Sequence, residues 1–323
     1  MFLTPSTFPW DLAILLLIAG PFCILTIAAV ALRRAEGWKA RTALHALSLL
    51  CFTVAMTVLY GSFLEPRLIT VTERRVPLPY SEQLTIAVIS DLHAGPYKGA
   101  AFLQRVVDRV NALRPDLVLY AGDFLFDKDS AFRDLKPLGG LTPSLGTVAV
   151  FGNHDMGRMR TPLGRRYEMA DRSVELREYL QGLGVTVLRN ENILYRTSRG
   201  AVAVAGAGDL WAGDVDLTKA LDLIPEDHAV ILLSHNPDII LQEESKQADL
   251  IVSGHTHGGQ FRLPWIGPLA PIPLRIGKQY SQGAFPLQGG GTLVVTRGIG
   301  ETQARARLFA PPEILLLKTT PEP

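Results

Sequence analysis

Side chains that can bind metal ions follow five separate strand-like segments of the sequence. The five motifs are Ser90-Asp91-Leu92-His93, Gly122-Asp123, Gly152-Asn153-His154-Asp155, Ser234-His235-Asn236 and Ser253-Gly254-His255-Thr256-His257. Imidazole, carboxylate and amide groups are common ligands of divalent transition metals. Each motif alone is weak evidence, because Gly-Asp and Asx sequences form ordinary turns. Together they hold five of the seven histidines, and they predict a metal site that does chemistry.

The segments that precede these motifs are short and continuously apolar. We predict buried strands over 84–90, 117–121, 147–151, 229–234 and 248–253. Between the first two strands, residues 100–113 repeat apolar side chains at helical spacing, and Pro115 then ends the helix. Strands that alternate with covering helices indicate a layered α/β domain, whose ligands bind at the carboxyl ends of the strands.

Two long apolar runs precede this domain. Residues 12–32 carry no charged side chain, and residues 42–64 carry only His45. Each run has the roughly 20 residues needed to cross a bilayer, so we predict a membrane anchor over 1–64 with two spans. A cleaved signal peptide is the alternative, but no basic residue precedes the first run. Residues 65–82 are predicted to be a linker, and 83–323 the catalytic domain.

The distribution of basic residues predicts how the anchor is oriented. The loop between the spans contains Arg33, Arg34, Lys39 and Arg41, whereas Arg67, Arg74 and Arg75 follow the second span. The positive-inside rule therefore favours a cytoplasmic loop in the cell membrane and an extracytoplasmic catalytic domain.

Charge and cysteine content exclude two classes of function for the domain. Of 32 basic and 31 acidic residues, four and two lie in residues 1–64, which leaves the domain close to neutrality. A near-neutral domain lacks the basic surface that nucleic-acid binding requires. Cys23 and Cys51 both lie in the apolar runs, so the domain has no cysteine for a disulfide or a thiolate metal site.

The five motifs, taken in order, resemble the calcineurin-like metallophosphoesterase superfamily over about residues 84–318. The stretch Gly254–Gln260, the pair Gly267-Pro268 and the triplet Thr296-Arg297-Gly298 are similar to its membrane-associated bacterial branch. That branch includes phosphodiesterases and UDP-diacylglucosamine pyrophosphatases. The resemblance implies an α/β fold, a four-layer α-β-β-α sandwich of two mixed sheets, here preceded by a transmembrane helical hairpin.

The resemblance also implies a site for two divalent metal ions. It assigns Asp91, His93 and His257 to the first ion, Asn153, His235 and His255 to the second, and Asp123 to both. Mixed nitrogen and oxygen ligands suit manganese, with iron or zinc as alternatives. His154 is assigned to the leaving-group oxygen, and Asp155 is expected to orient His154, with a plain turn carboxylate as the alternative.

Residues outside the motifs carry weaker predictions. Arg158, Arg262 and Arg297 are candidates for binding a second phosphate or a headgroup, against the alternative of solvated arginines. Trp211 and Trp265 are candidates for an acyl groove, against core packing or an interfacial anchor.

The sequence therefore predicts a metal-dependent phosphoric ester or pyrophosphate hydrolase. Its preferred substrate is lipid-borne, because tethering raises the effective concentration of the site at the bilayer. UDP-diacylglucosamine is one candidate, although the predicted orientation opposes it. The alternatives are a broad phosphodiesterase acting on soluble substrates and a metal-bearing binding module without turnover. The sequence does not indicate an oligomeric state.

Overall fold

The computed structural model describes residues 8–35, 37–79, 84–160, 166–197 and 200–321 of the chain. Two apolar helices, α1 (Phe8–Arg34) and α2 (Trp38–Leu59), pack together as a hairpin. Both are long and apolar enough to cross a membrane by length and composition. Many of their apolar side chains are not covered by the rest of the protein; Leu15 and Leu16, for example, are about 60% exposed. A π-helical turn, Tyr60–Leu64, continues α2 to the domain.

Sixteen strands follow in the described residues. In chain order they are β1 (Thr70–Pro77), β2 (Thr85–Ile89), β3 (Leu117–Ala121), β4 (Gly146–Val150), β5 (Arg158–Arg160), β6 (Arg166–Glu168), β7 (Val185–Val187), β8 (Glu191–Thr197), β9 (Gly200–Gly206), β10 (Ala229–Leu233), β11 (Leu250–Ser253), β12 (Arg262–Leu263), β13 (Gly267–Pro268), β14 (Gly283–Pro286), β15 (Thr292–Val295) and β16 (Glu313–Thr320). The helices of the domain are α3 (Ala100–Ala112), α4 (Ser173–Gly182) and α5 (Leu217–Ala220).

Two mixed six-stranded sheets form the centre of the domain. The first has the order β1-β16-β2-β3-β4-β7, and the second has the order β14-β15-β11-β10-β9-β8. Strands β2, β3 and β4 are mutually parallel, and so are β9, β10, β11 and β15. Their carboxyl ends therefore lie at one edge of each sheet, where the predicted ligands follow.

The sheets face each other across a shared apolar layer. Alternate residues of β2 divide between two clusters: Ile86 and Val88 pack with the second sheet, while Ala87 and Ile89 pack with the helices on the outer face. This alternation follows from the two-residue period of a strand. Helices α3 and α4 cover the first sheet, and α5 packs on the outer face of the second. The predicted four-layer sandwich is confirmed.

The segment predicted to be a linker is largely ordered structure. Residues Thr70–Pro77 form β1, which pairs in parallel with β16 from Thr70–Glu313 to Pro77–Thr320. The linker prediction over 65–82 is therefore wrong for this part. An edge strand with one exposed face needs few apolar residues, so its polar sequence resembled a loop.

Candidate metal centre

The carboxyl ends of five strands meet in one buried cluster. Asp91 and His93 follow β2, Asp123 follows β3, and Asn153 and His154 follow β4 from the first sheet. The second sheet adds His235 after β10, and His255 and His257 after β11. Three overlapping groups of these side chains place their ligand atoms within 4.8 Å of one another: Asp91-His93-His257, His93-Asp123-His154 and Asp91-Asp123-His235.

Five of these residues have positive backbone φ angles. The values are 51° at Asp91, 44° at His93, 57° at Asp123, 69° at His255 and 51° at His257. Residues other than glycine rarely adopt this conformation, and it persists only where the surroundings impose it. These positive φ angles turn the chain sharply after β2, β3 and β11, where the five residues lie.

Backbone carbonyl groups fix the tautomers of His93 and His257. The Nδ1 atom of His93 lies 3.2 Å from the Leu125 carbonyl oxygen, and that of His257 lies 3.1 Å from the Gly300 carbonyl oxygen. A carbonyl oxygen only accepts, so both Nδ1 atoms carry the proton and both Nε2 atoms present a lone pair. These two Nε2 atoms face each other at 3.2 Å.

The other half of the cluster repeats this arrangement. His235 donates Nδ1–H to the Ala121 carbonyl oxygen at 2.7 Å, which directs its Nε2 atom inward. That Nε2 atom lies 3.2 Å from Asp123 Oδ2 and 3.1 Å from His255 Nδ1. Asn153 donates Nδ2–H to the Arg158 carbonyl oxygen, and its buried Oδ1 atom has no hydrogen-bond partner.

These contacts fit a cation. Facing lone pairs and an unpartnered buried amide oxygen are unfavourable among themselves and become favourable around a positive charge. The donor set of four imidazoles, two carboxylates and one amide suits transition metals better than Ca²⁺ or Mg²⁺. The residues therefore fit bound divalent metal.

The electrostatics of the cluster favour positive charge as well. Burial raises the pKa of Asp123, but His235 and His154 outweigh it and hold that pKa well below its usual range. Burial lowers the pKa of His235, yet Asp123 and Asp91 raise it to about 10. Burial, with His154 next, lowers the pKa of His93, and burial with Arg307 lowers that of His257 to about 3. His93 and His257, neutral beside an ionised Asp123, are in the protonation states that metal binding requires, and a bound cation would favour the neutral form of His235 as well.

Residues 84–259 match the family described as calcineurin-like phosphoesterase. This segment contains every residue of the cluster. The chain belongs to that family. It is a metal-dependent phosphoester hydrolase, as the sequence predicted.

Three relatives show how far the similarity extends. This phosphoesterase is 31% identical over 272 residues to the metallophosphoesterase YkuE of Bacillus subtilis, covering 81% of this chain and 90% of that one. It is 33% identical to the phosphodiesterase YaeI of Escherichia coli, covering 72% and 81%. It is 30% identical to the UDP-2,3-diacylglucosamine pyrophosphatase LpxG of Chlamydia trachomatis, covering 83% and 94%.

Asp155 in this phosphoesterase supports the backbone and does not orient His154. Its carboxylate accepts hydrogen bonds from the backbone N–H groups of Gly152, Asp123, Phe124 and Leu125 at 2.9 to 3.1 Å. His154 instead donates Nδ1–H to the Phe126 carbonyl oxygen at 2.8 Å. The predicted orienting role is therefore wrong, because the side chain of Asp155 points to the loop that carries Asp123.

A cavity of about 370 Å³ lies over the cluster. Asp123, Asn153, His154, His255 and His257 form its floor. Its walls are mostly apolar and include Trp10, Trp211, Phe261, Ala270, Pro271, Ile272 and Pro273. The Trp211 ring packs edge-on against His255, with centroids 4.5 Å apart. Trp10 is the third residue of α1, so the first apolar helix forms part of the site.

The three predicted substrate-binding arginines have protein partners. Arg158 pairs with Glu168, and Arg297 lies 3.0 Å from a Glu313 carboxylate oxygen. Arg262 donates to the Gly258 carbonyl oxygen at 2.6 Å and to Ser281 Oγ at 2.9 Å. None of the three is among the described residues that line the cavity. These partners give each arginine a structural role, and its assignment to substrate stays a prediction.

Sequence reasoning missed two contributors to the site. Trp10 carries no local signal, because the cavity brings it near cluster residues that are more than 100 positions away in the chain. Arg307 is fully buried and donates to the Gly300 carbonyl oxygen, the same atom that His257 contacts. A buried arginine is rarely predictable from sequence, since arginine is usually exposed.

Proposed function

We propose that this phosphoesterase is a membrane-anchored enzyme that uses two divalent metal ions to cleave a phosphodiester or pyrophosphate bond in a lipid or lipid-linked substrate. Asp91, His93 and His257 would hold the first ion, and Asn153, His235 and His255 would hold the second. Asp123 would contribute to both sites. Manganese is the preferred ion, with iron or zinc as alternatives.

The wall of the cavity is the observation that supports a lipid substrate. Trp10 belongs to α1, which is long and apolar enough to cross a membrane, and it also lines the space above His154 and Asp123. Tryptophan near the end of a span is typical of the headgroup region. A substrate in this cavity therefore contacts the reacting groups and the start of a membrane helix at once.

The chain's own residues have distinct parts in the reaction. Two bound divalent ions supply Lewis acidity, which lowers the pKa of water and neutralises phosphate charge. His154, in its imidazolium form, keeps Nδ1–H on the Phe126 carbonyl oxygen and donates Nε2–H to the leaving-group oxygen. The apolar walls formed by Trp211 and Phe261 limit the access of water and contact the apolar part of the substrate.

The hairpin also supports an orientation. Trp10 lies near the start of α1 and Glu65 follows the end of α2, and both contact the domain. The basic loop with Arg33 and Arg41 lies at the opposite ends of the two helices. By the positive-inside rule the domain is extracytoplasmic, which favours a phospholipid or cell-wall phosphodiester. A cytoplasmic domain would instead favour a nucleotide-linked lipid of the kind named for LpxG.

The first experiment tests the reaction class with the full chain in nanodiscs. After chelation and reloading with Mn²⁺, we expect metal-dependent hydrolysis of bis-p-nitrophenyl phosphate and two metal equivalents per chain. Asp123→Ala is expected to abolish both, while His154→Ala keeps the metal and loses about 10²- to 10⁴-fold in kcat. Asp129→Ala, at an exposed residue paired with Lys128, is the control. A metal-loaded chain without turnover on any phosphoester would support the binding module.

The second experiment tests the substrate. Trp10→Ala is compared with Trp38→Ala, a 74% exposed tryptophan at the other end of the hairpin. We expect Trp10→Ala to lower the ratio of lipid to soluble phosphodiester turnover by about tenfold, because an apolar contact of this size is worth about 1.5–3 kcal/mol. Trp38→Ala should leave the ratio unchanged. If the wild-type protein and both variants have the same ratio of lipid to soluble turnover, the alternative of a broad phosphodiesterase with soluble substrates is favoured.

A further inference from the structure

An exposed apolar tip projects beside the site. Strands β12 and β13 form a two-stranded hairpin whose turn contains Trp265 and Ile266. Trp265 is 102% exposed and Ile266 is 63% exposed. Leu269 and Phe309, next to the hairpin, are 53% and 52% exposed. We call these four residues the Trp265 tip.

The tip stands on a rigid base. Arg262 N–H donates to the Leu308 carbonyl oxygen at 2.9 Å, and Leu269 N–H donates to the Phe261 carbonyl oxygen at 2.9 Å. The Arg262 guanidinium adds bonds to Gly258 and Ser281 beneath the turn. These bonds attach the base of the tip to the domain, while the side chains of the turn remain exposed.

The backbone at Trp265 has an unfavourable conformation, and no packing of its side chain within the protein offsets the cost. Its φ angle is 65°, a value that bulky residues rarely adopt. The side chain is fully exposed, so packing does not offset this conformational cost. Strain of this kind persists at functional sites, where a ligand or partner contacts the strained residue.

The tip lies close to the end of α2, and this position indicates which surface contacts it. Phe309, a member of the tip, donates its backbone N–H to the Glu65 carboxylate at 3.0 Å. Glu65 follows directly after the turn that ends α2, and its neighbours Leu64 and Leu68 are 59% and 49% exposed. The hydrogen bond from Phe309 to Glu65 therefore places the tip next to the end of α2, where Leu64 and Leu68 are also exposed. A lipid surface at the end of α2 would reach both.

We infer that the Trp265 tip inserts into the headgroup region of the bilayer that holds α1 and α2. Aromatic and aliphatic side chains at this depth are stable because one end meets acyl chains and the backbone stays hydrated. The tip lies eight residues after the ligand His257, so its depth sets the distance of the metal centre from the lipid. This inference rests on the proposed membrane anchor.

Depth-dependent quenching tests the inference. The full chain, with Cys23→Ser and Cys51→Ser, receives a single cysteine at Ile266 and an environment-sensitive fluorophore, in phosphatidylcholine–phosphatidylglycerol nanodiscs. Lipids with a nitroxide near the headgroup are the quencher. Leu16→Cys on α1 reports the anchor, and Leu223→Cys, an 87% exposed leucine on the domain, is the matched control. We expect quenching at positions 16 and 266 and none at 223.

The outcomes separate the two proposals. Quenching at 16 with none at 266 overturns the insertion of the tip and leaves the anchor standing. Absence of quenching at 16 overturns both. Protection of 266 from aqueous iodide without lipid quenching indicates a covering protein or second copy, which also overturns insertion. Trp265→Asp is expected to reduce quenching at 266, whereas the apolar variant Trp265→Leu should retain it.

Discussion

The Glu65 carboxylate accepts a 2.6 Å hydrogen bond from the backbone N–H of Ala310. Glu65 is 1% exposed, and a second bond from Phe309 occupies its other oxygen. Three residues earlier on the same loop, Arg307 N–H donates to the Gly61 carbonyl oxygen at 2.8 Å. Since the Arg307 side chain also contacts the Gly300 carbonyl oxygen, which His257 contacts too, this loop links the end of α2 to the support of His257.

This junction predicts a stability effect at Glu65. Glu65→Ala leaves the backbone N–H groups of Phe309 and Ala310 without their partner, and that of Ala310 is buried, so we expect a loss of about 1–3 kcal/mol in the free energy of unfolding. Thermal unfolding of the full chain in detergent measures it. Glu73→Ala is the control, because its pair with Lys318 is at the surface and should be worth less than about 1 kcal/mol. Equal effects of the two variants would refute a special role for Glu65.

At Gly298 the backbone passes so close to the metal-site residue Asp91 that a side chain would not fit. A Cβ atom here would lie 2.7 Å from Cβ of Asp91, and the φ angle is 68°. Gly213 has nearly the same φ of 70° but has no atom within 4 Å of such a Cβ. Both Gly→Ala variants should lose about 1–2 kcal/mol of stability through the φ angle. Only Gly298→Ala should also lower metal content and turnover, measured by elemental analysis and hydrolysis.

Substitutions at Asp155 and His154 should have different effects, the first mainly on stability and the second mainly on catalysis. Asp155→Asn replaces a carboxylate oxygen with an N–H₂ group facing backbone N–H donors, so stability should fall by at least about 1.5–3 kcal/mol. His154→Ala should lower kcat with little change in stability, since one exposed edge of its ring faces the cavity. Denaturant unfolding and hydrolysis of the same samples measure both. A stable, inactive Asp155→Asn would restore the orienting role for Asp155.

Lys98 should make stability depend on pH. It is 2% exposed and lies 3.2 Å from a Glu301 oxygen, and burial lowers its pKa from 10.5 to about 8. Between pH 8 and 10.5 the unfolded chain binds more protons at this residue, so the free energy of unfolding rises with pH across that window. The rise should amount to a few kcal/mol, at about 1.4 kcal/mol for each pH unit between the two pKa values. We expect it to be absent in Lys98→Met. Parallel pH profiles of the two proteins would contradict it.

The convergence of the ligands was predictable from local sequence. Parallel strands place their carboxyl ends at one edge, so Asp91, Asp123 and Asn153 had to lie close together once β2, β3 and β4 were recognised. The second sheet brings His235 and His255 to the same place by the same rule. That the two sheets pack face to face was predicted from the family resemblance, because the periodicity of a single segment does not show how sheets pack.

The errors of the sequence analysis have physical causes. Strand β1 gains its stability from a partner, β16, more than 240 positions away, so its own polar sequence gave no strand signal. Neighbouring side chains such as His154 and Asp155 point in different directions, which spacing cannot resolve. The arginines found internal partners through the tertiary structure, because a buried or half-buried guanidinium requires acceptors nearby.

The position of β16 in the first sheet determines when that sheet can be completed during synthesis. This last strand lies between β1 and β2, the first two strands of the domain, so the first sheet stays divided until residues Glu313–Thr320 leave the ribosome. By then the apolar hairpin has already been synthesised. Strand β16 therefore completes the first sheet only after its other strands are present. We expect the nascent enzyme to remain inactive, and its domain incompletely folded, until β16 has left the ribosome.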